Sequence, residues 1–410
     1  DGLTPEFFKS FQIGHGTRQG CPISPLLFAL AIEPLAEVIR TDPQVAGITI
    51  GPQKHTISLY ADDVLLFLSN PEVSMVRIIE IIKSFGQFLG YDINYSKSEA
   101  MPLTLHTPST SSSAVPFRWS PSGFVYLGIH ITLSLSGLYK ANFIPLIRKI
   151  KEDLAHWTSL PLSPIGRVNL FKMNILPRLL YVFQMVPVLL TRRSLSILNS
   201  SLSSFLWRNK RARLKLQKLQ LRVGDGGLSL PNIKYYQLAC LGRYLWEWFR
   251  NDPRSTWLSI EATPLDPIPL RNILYTSKKW VANRVRANLL LQNTLKVWRI
   301  FNKIGSQEDS LSLFTPIHLN PDFPPGLEDS AFFLWSEKGI GTVKSFNQLI
   351  EQHNLPSKHL FRYLQIHSFV SSEARLYPGG FSCSSIEEVQ TLQKGLHGLI
   401  WSDIPRKNQT

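Results

Sequence analysis

Cysteine is scarce in this chain: three in 410 residues, at positions 21, 240 and 383. Their separations exclude a CxxC metal pair and offer no disulfide framework, so a reducing compartment is expected. Uninterrupted apolar runs are missing as well. The most apolar stretch, Asn174 to Thr191, is broken by Pro177, Arg178, Gln184 and Pro187, and it falls short of the about 18 residues that a bilayer-spanning helix requires. No membrane partner is expected. The chain opens on Asp1 with no early apolar stretch of secretory length, so no signal peptide is expected and the location implied is intracellular.

Acidic residues are thin in one region. The chain has 44 Lys and Arg against 29 Asp and Glu, a formal net charge of +15, and residues 140–250 hold 19 of the bases but only 4 of the acids. A block that carries the whole positive excess suits a polyanion partner, because neutralising phosphates releases condensed counterions. Its densest part runs from Trp207 to Arg222, contains no acid, and interleaves leucines with bases. Arg208, Lys210, Arg211, Arg213, Lys215 and Lys218 are therefore candidate nucleic-acid contacts, although a solvated surface or a nuclear-import signal explains an isolated run equally well. The alternation, followed by Gly224-Asp225-Gly226-Gly227, predicts a β-ribbon.

Tyr60-Ala61-Asp62-Asp63 joins one apolar run, His55 to Tyr60, to another, Val64 to Leu68. Successive side chains of a strand point to opposite faces, so adjacent aspartates converge only where a turn bends the backbone, and a hairpin is predicted. Two carboxylates at a turn suit a hard cation such as Mg²⁺, which takes oxygen ligands and is often completed by substrate phosphates. A solvated turn is the plain alternative.

Upstream, Gly16-Thr17-Arg18-Gln19-Gly20-Cys21-Pro22-Ile23-Ser24-Pro25 combines glycines that allow close backbone approach with donors, Arg18 and Gln19, for phosphate or a base edge. Ser24-Pro25 reads as an N-cap followed by proline, opening an apolar helix that Pro34 should kink. Downstream, Met75, Ile78, Ile79, Ile82, Phe85 and Leu89 recur at helical spacing, with Gly90 as C-terminal cap, and should pack under the hairpin. Then come Gly90-Tyr91-Asp92-Ile93-Asn94-Tyr95-Ser96-Lys97-Ser98, a breaker-rich stretch at 102–122 expected to be a loop, and a strand restarting at Phe124 with Tyr126-Leu127-Gly128-Ile129. Trp280, Val281, Val285, Leu289, Leu295, Trp298 and Phe301 suggest amphipathic core packing in the last third.

This succession of motifs resembles the palm of a reverse transcriptase, in detail that of LINE-1-type (non-LTR) retrotransposons. Gly166 to Arg178, Phe205-Leu206-Trp207-Arg208-Asn209-Lys210 and Gly226-Gly227-Leu228-Ser229-Leu230-Pro231 are similar to segments that follow the palm in that family. The likeness is ordered from about Gly16 to Trp248 and fainter at Phe323-Pro324-Pro325-Gly326 and Phe333-Leu334-Trp335. It implies that Asp62 and Asp63 are catalytic metal ligands for Mg²⁺. It also implies that Arg18, Gln19 and Gly20 lie by the nucleotide and template, that Lys97 lies near the nucleotide phosphates, and that Leu127 and Gly128 form a primer grip. The implied partners are an RNA template, a DNA primer and dNTPs, in the nucleus or a cytoplasmic ribonucleoprotein; the oligomeric state is left open.

The resemblance also locates a difference. Polymerase palms of this kind use a further aspartate on an upstream strand, and only fifteen residues precede Gly16 here, with Asp1 and Glu6 outside any matching motif. The expectation is a C-terminal portion without fingers, inactive alone, or a nucleic-acid-binding remnant. The fold class expected is α+β: a partial palm of antiparallel sheet and packed helices at 1–135, a basic thumb-like helical and ribbon region at 136–260, and an aromatic-rich helical region at 261–410. A chain of 410 residues with 44% hydrophobic content can bury a substantial core, and its length suggests two or three domains at about 150 residues each.

Overall fold

The aspartate hairpin sits on two helices. In the computed structural model, which describes residues 20–103, 117–276, 285, 288–304, 314–351 and 360–376, the backbone divides into two units, 1–121 and 122–410. The first opens with α1 (Ser24–Thr41). Its cap position falls on Ile23, without a side-chain cap hydrogen bond, so Ser24 is one residue inside the helix instead of capping it, and Pro25 occupies the first turn where its missing N–H costs nothing. Pro34 lies inside the helix without ending it. Then follow an antiparallel hairpin of β1 (Ile48–Ile50) and β2 (Gln53–His55), and a second of β3 (Ile57–Tyr60) and β4 (Asp63–Leu66).

Helix α2 (Pro71–Leu89) ends at Gly90, which adopts the left-handed conformation with φ 72°, as the spacing predicts. Ile32, Leu35 and Ile39 of α1 meet Ile78 and Ile81 of α2, and Ile57, Leu59 and Leu66 of the second hairpin pack against this cluster. The apolar stripe of α2 is thus the base of the hairpin, although Leu89 at its end is exposed. Arg77 donates to Asp42 at 2.9 Å, joining α2 to the end of α1. Short parallel strands β5 (Glu99–Ala100) and β6 (Arg118–Trp119) complete the unit. Most of the predicted loop, 104–116, lies outside the described residues.

The second unit begins with the antiparallel hairpin of β7 (Phe124–Tyr126) and β8 (Ile129–Ile131). Helix α3 (Leu135–Trp157) packs on a continuous helical run made of α4 (Pro164–Leu170), a π-helical stretch at Phe171–Ile175, and α5 (Leu176–Met185), with α6 (Arg192–Leu206) beside them. The π stretch has a local cause. Pro177 cannot donate to Met173 and its ring would clash with that carbonyl, so the turn before it widens and the Leu176 N–H bonds Phe171 O five residues back.

The predicted β-ribbon is absent. Residues 207–231 contain a single-turn helix α7 (Leu216–Leu219) and a 3₁₀ turn at Val223–Asp225, with no strand. The period-2 leucines do not share a sheet face, because Leu219 anchors in the core while Leu214 and Leu221 are exposed. The Leu219 carbonyl accepts from both Leu228 and Leu230, which closes a loop in place of a ladder.

Helix α8 (Ile233–Arg250) leads into a second core where Leu241, Leu245 and Trp248 meet Leu258 of α9 (Thr256–Ala262) and Leu291, Leu295 and Trp298 of α10 (Leu289–Ile304). Leu295, Trp298 and Phe301 are buried here, so that predicted stripe is core; Trp280 and Val281 lie outside the described residues. A third cluster gathers Phe323, Phe332, Trp335, Phe346 and Ile366. Among the described residues no helix is long and apolar enough to cross a membrane.

Glu261 is buried in the second core, where it accepts from the Trp248 indole N–H at 3.0 Å. Burial pushes its carboxyl up to about 7. Because the folded chain holds this proton to higher pH than the unfolded chain, the contribution to stability is full below the ordinary carboxyl range and is lost as pH rises through about 7. Glu261→Gln should therefore be more stable to urea than the parent at pH 8, by roughly 1–3 kcal/mol, and lose that advantage at pH 4; equal midpoints at both pH values would contradict this.

Candidate functional site

In the aspartate hairpin Tyr60 pairs with Asp63, leaving Ala61 and Asp62 as a two-residue turn. Ala61 takes φ 50°, an unusual value for a residue with a Cβ, and this sharp reversal puts two carboxylates at consecutive positions on one exposed tip. Neither aspartate carries an ion pair among the described residues, and no group of three or more His, Cys, Asp or Glu side chains converges there or elsewhere among them. The pair can supply two oxygen ligands to one hard cation, with water and phosphate oxygens completing the shell.

Gly20, with φ 84°, immediately precedes the turn into α1, while Arg18 and Gln19 lie outside the described residues. Lys97 is exposed on a tight turn where its N–H bonds the Asn94 carbonyl at 3.1 Å, and Ser96 donates to the Asn94 side chain at 2.7 Å. This segment folds back over α2. Tyr91 stacks on Phe85 with ring centroids 6.2 Å apart, and a Cβ at Gly86 would lie 2.2 Å from the Tyr91 carbonyl. Gly86 is a positioning residue that helical periodicity alone does not reveal.

At the tip of the β7–β8 hairpin Leu127 and Gly128 have φ 47° and 72°, the pattern of a tight two-residue turn with both central residues left-handed. A leucine there is strained, and two clamps hold the backbone. The Tyr181 hydroxyl of α5 donates to the Leu127 carbonyl. Behind it, the buried Asn142 of α3 accepts from the His130 N–H at 2.9 Å and donates to the His130 carbonyl at 2.9 Å. Sequence reading misses both clamps because their partners lie 54 and 12 residues away.

The basic run borders a cleft of about 1090 Å³. One wall is the 161–164 turn with Arg167, and the other is formed by residues 206–208 and 210–213. Arg208, Lys210, Arg211 and Arg213 line it and are exposed, whereas Lys215 and Lys218 sit at α7, exposed but away from the cleft. After α6 the chain reverses through two consecutive left-handed residues, Arg208 (φ 51°) and Asn209 (φ 58°). Arg208 then reaches across to the Leu162 carbonyl at 3.1 Å.

Arg167 is almost fully buried and braces both walls. Its guanidinium donates to the carbonyls of Phe205 at 2.9 Å, Thr158 at 3.1 Å and Leu160 at 2.7 Å, and lies 5.0 Å from the Phe205 ring centroid. Burial, and secondarily the charge of Arg208, lowers its pKa from the ordinary arginine value.

Residues 6–131 match the reverse transcriptase family, described as RNA-dependent DNA polymerase. The match takes in Gly20, the Asp62-Asp63 tip, Lys97 and the Leu127-Gly128 turn, and ends at the last residue of β8. The chain is 24% identical over 334 residues to a transposon TX1 uncharacterized 149 kDa protein of Xenopus laevis, covering 77% of this chain and 25% of that protein. It is 28% identical over 234 residues to a Pol polyprotein of the type-1 retrotransposable element R2 of Popillia japonica, covering 54% of this chain and 32% of that one. A type-2 R2DM Pol polyprotein of Drosophila melanogaster is 23% identical over 278 residues, covering 64% and 25%. The chain thus spans a quarter to a third of the length of these relatives.

The clamps on the reverse transcriptase match are testable. Asn142→Leu keeps the volume but leaves the His130 N–H and carbonyl unpaired, which should cost about 1–3 kcal/mol in urea unfolding and speed hydrogen exchange at the His130 amide. Tyr181→Phe should loosen the Leu127 turn at a smaller cost, about 1 kcal/mol. Unchanged exchange at His130 in Asn142→Leu would remove the clamp.

Proposed function

We propose that this chain carries part of an RNA-directed DNA polymerase of the LINE-1 (non-LTR) type, and the observation that carries the reading is the Asp62-Asp63 hairpin tip inside the reverse transcriptase match. In this reading Asp62 and Asp63 hold Mg²⁺, which neutralises phosphate charge when bound. Arg18, Gln19 and Gly20 meet the nucleotide and template, and Lys97 meets the nucleotide phosphates. The backbone at Leu127 and Gly128, held by Tyr181 and Asn142, supports the primer end. A primer 3′-hydroxyl oxygen gives up its proton to solvent and forms a bond to the dNTP α-phosphorus as the bond from that phosphorus to the leaving pyrophosphate oxygen breaks. The palm would end with the β7–β8 hairpin, and the helices from α3 onward would act as a thumb.

The basic run supplies the grip. Arg208, Lys210, Arg211, Arg213, Lys215 and Lys218 are exposed and contact phosphates irrespective of base. Neutralising Arg208, Lys210, Arg211 and Arg213 together should weaken binding alike for every base sequence and flatten its salt dependence; an unchanged salt slope in filter binding would count against the grip.

A second reading has its own support. Two-cation phosphoryl transfer needs metal ions about 3.5–4 Å apart held by several ligands, and the tip presents two carboxylates with no third acid, histidine or cysteine gathered among the described residues. A chain of that kind holds nucleic acid without copying it. Primer extension on an RNA template with dNTPs and Mg²⁺, beside an Asp62→Ala, Asp63→Ala control and a binding lane, separates the two. Extension lost in the control supports the polymerase; binding without extension supports the second reading.

A further inference from the structure

We infer that Ser163 is a phosphorylation site for a proline-directed protein kinase, and that its phosphoryl group closes the basic cleft by pairing with cations of the opposite wall. The sequence has three Ser-Pro pairs, beginning at Ser24, Ser120 and Ser163. A kinase needs the hydroxyl exposed on chain that can be held extended, and two of the three fail that requirement. Ser24 is half-buried inside α1, and Ser120 is buried. Ser163 differs on both counts. It and Pro164 are exposed, its backbone is extended with φ −66° and ψ 162°, and residues 161–163 belong to no helix or strand. The conformation follows from Pro164, whose ring disfavours helical geometry in the residue before it. The Ser163 hydroxyl oxygen accepts from the Gly166 N–H at 3.0 Å, a bond that a phosphate oxygen can take over.

The opposite wall supplies the partners. Ser163 lines the same cleft as the exposed Arg208, Lys210, Arg211 and Arg213, and among the described residues no carboxylate lines it. Arg208 already reaches the carbonyl of Leu162, the residue before Ser163, at 3.1 Å. Arg167 is engaged by three carbonyls, which leaves the four exposed cations to meet an anion. A phosphoserine brings a charge of about −1.5 to −2 and three acceptor oxygens, which form charge-assisted hydrogen bonds opposite an arginine cluster. Phosphorylation thus offsets the like-charge repulsion of this wall and withdraws its cations from other anions. In the transfer, Ser163 Oγ bonds to the γ-phosphorus of kinase-bound ATP as the bond from that phosphorus to the ADP oxygen breaks, and the hydroxyl proton passes to the kinase's base. The consequence for nucleic acid rests on the reading of the basic run as its contact; the modification and the closure do not.

The test treats the full chain with a proline-directed kinase, ATP and Mg²⁺ and maps incorporated phosphate by mass spectrometry. Phosphate should appear at Ser163 and be lost in Ser163→Asn, which keeps a capping oxygen, and in Pro164→Ala, which keeps the hydroxyl. Phosphate that never reaches Ser163 overturns the site. On the modified chain, a phosphorus NMR titration should place the second pKa of the phosphoserine below its ordinary value of about 6. Lys210→Gln, Arg211→Gln and Arg213→Gln together should raise it back toward that value, and a pKa of about 6 in both chains overturns the closure. Anisotropy with an oligonucleotide then reads the consequence: modification should weaken binding by about tenfold and flatten its salt slope by about 1–2. A lowered pKa with unchanged oligonucleotide binding supports the closure and removes the basic run as the nucleic-acid contact.

Discussion

The arrangement of the second unit depends on a buried cation that has no carboxylate partner among its hydrogen bonds. Arg167 satisfies itself on three main-chain carbonyls, two from the turn after α3 and one from the last turn of α6. Helix ends leave carbonyls without intrahelical partners, and the C-terminal end of each dipole favours positive charge. The guanidinium therefore answers two helix ends at once, with hydrogen bonds to a charged donor contributing roughly 1.5–3 kcal/mol each against its desolvation. A lysine has the charge but not the planar fork, and could not meet three carbonyls in those directions. Arg167 thereby ties the ends of α3 and α6 to α4, beside the core in which Phe143, Ile150, Leu154, Val168 and Leu202 pack these helices together.

The same logic recurs at the hairpins. Short two-stranded ladders are marginal by themselves, and two of these hairpins are fastened from helices. The aspartate hairpin rests on Ile78 and Ile81 of α2 through Ile57, Leu59 and Leu66. The β7–β8 hairpin is held along its edge by Asn142 and at its tip by Tyr181. Left-handed φ values at Ala61 and Leu127 occur at both tips. Non-glycine residues persist in such conformations when their surroundings over-determine them, and a tip held that way keeps its side chains or carbonyls in one place for a ligand.

What the sequence makes legible is local. The aspartate turn, the stripe of α2 and the Gly90 cap each depend on spacings of a few residues, where strand and helix periods are distinct. The failures have physical causes of the opposite kind. Between Trp207 and Arg222 the alternation of leucine and base mimics a strand, but Leu219 is drawn into the core, and Gly227 fits against the Leu221 carbonyl where a Cβ would lie 2.0 Å away. That packing closes a loop before a ladder can form. Arg167, Asn142 and Tyr181 carry no local signal at all, since a lone arginine, asparagine or tyrosine in a helical pattern reads as surface until its distant carbonyl partner is known. The Ser24-Pro25 signal places the start of α1 one position too late because proline is tolerated throughout the first turn.

The charge pattern bears on folding in the second unit. Of the four acids in 140–250, Asp153 is already engaged by Arg178 at 2.6 Å and Lys149 at 3.4 Å. Arg208, Lys210, Arg211 and Arg213 stand on one cleft with no acid in its lining, so their mutual repulsion is relieved only by solvent and salt. A cluster of like charges of this kind gives up folding stability through its self-repulsion. The buried Arg167 lies beneath the same cleft and feels the charge of Arg208.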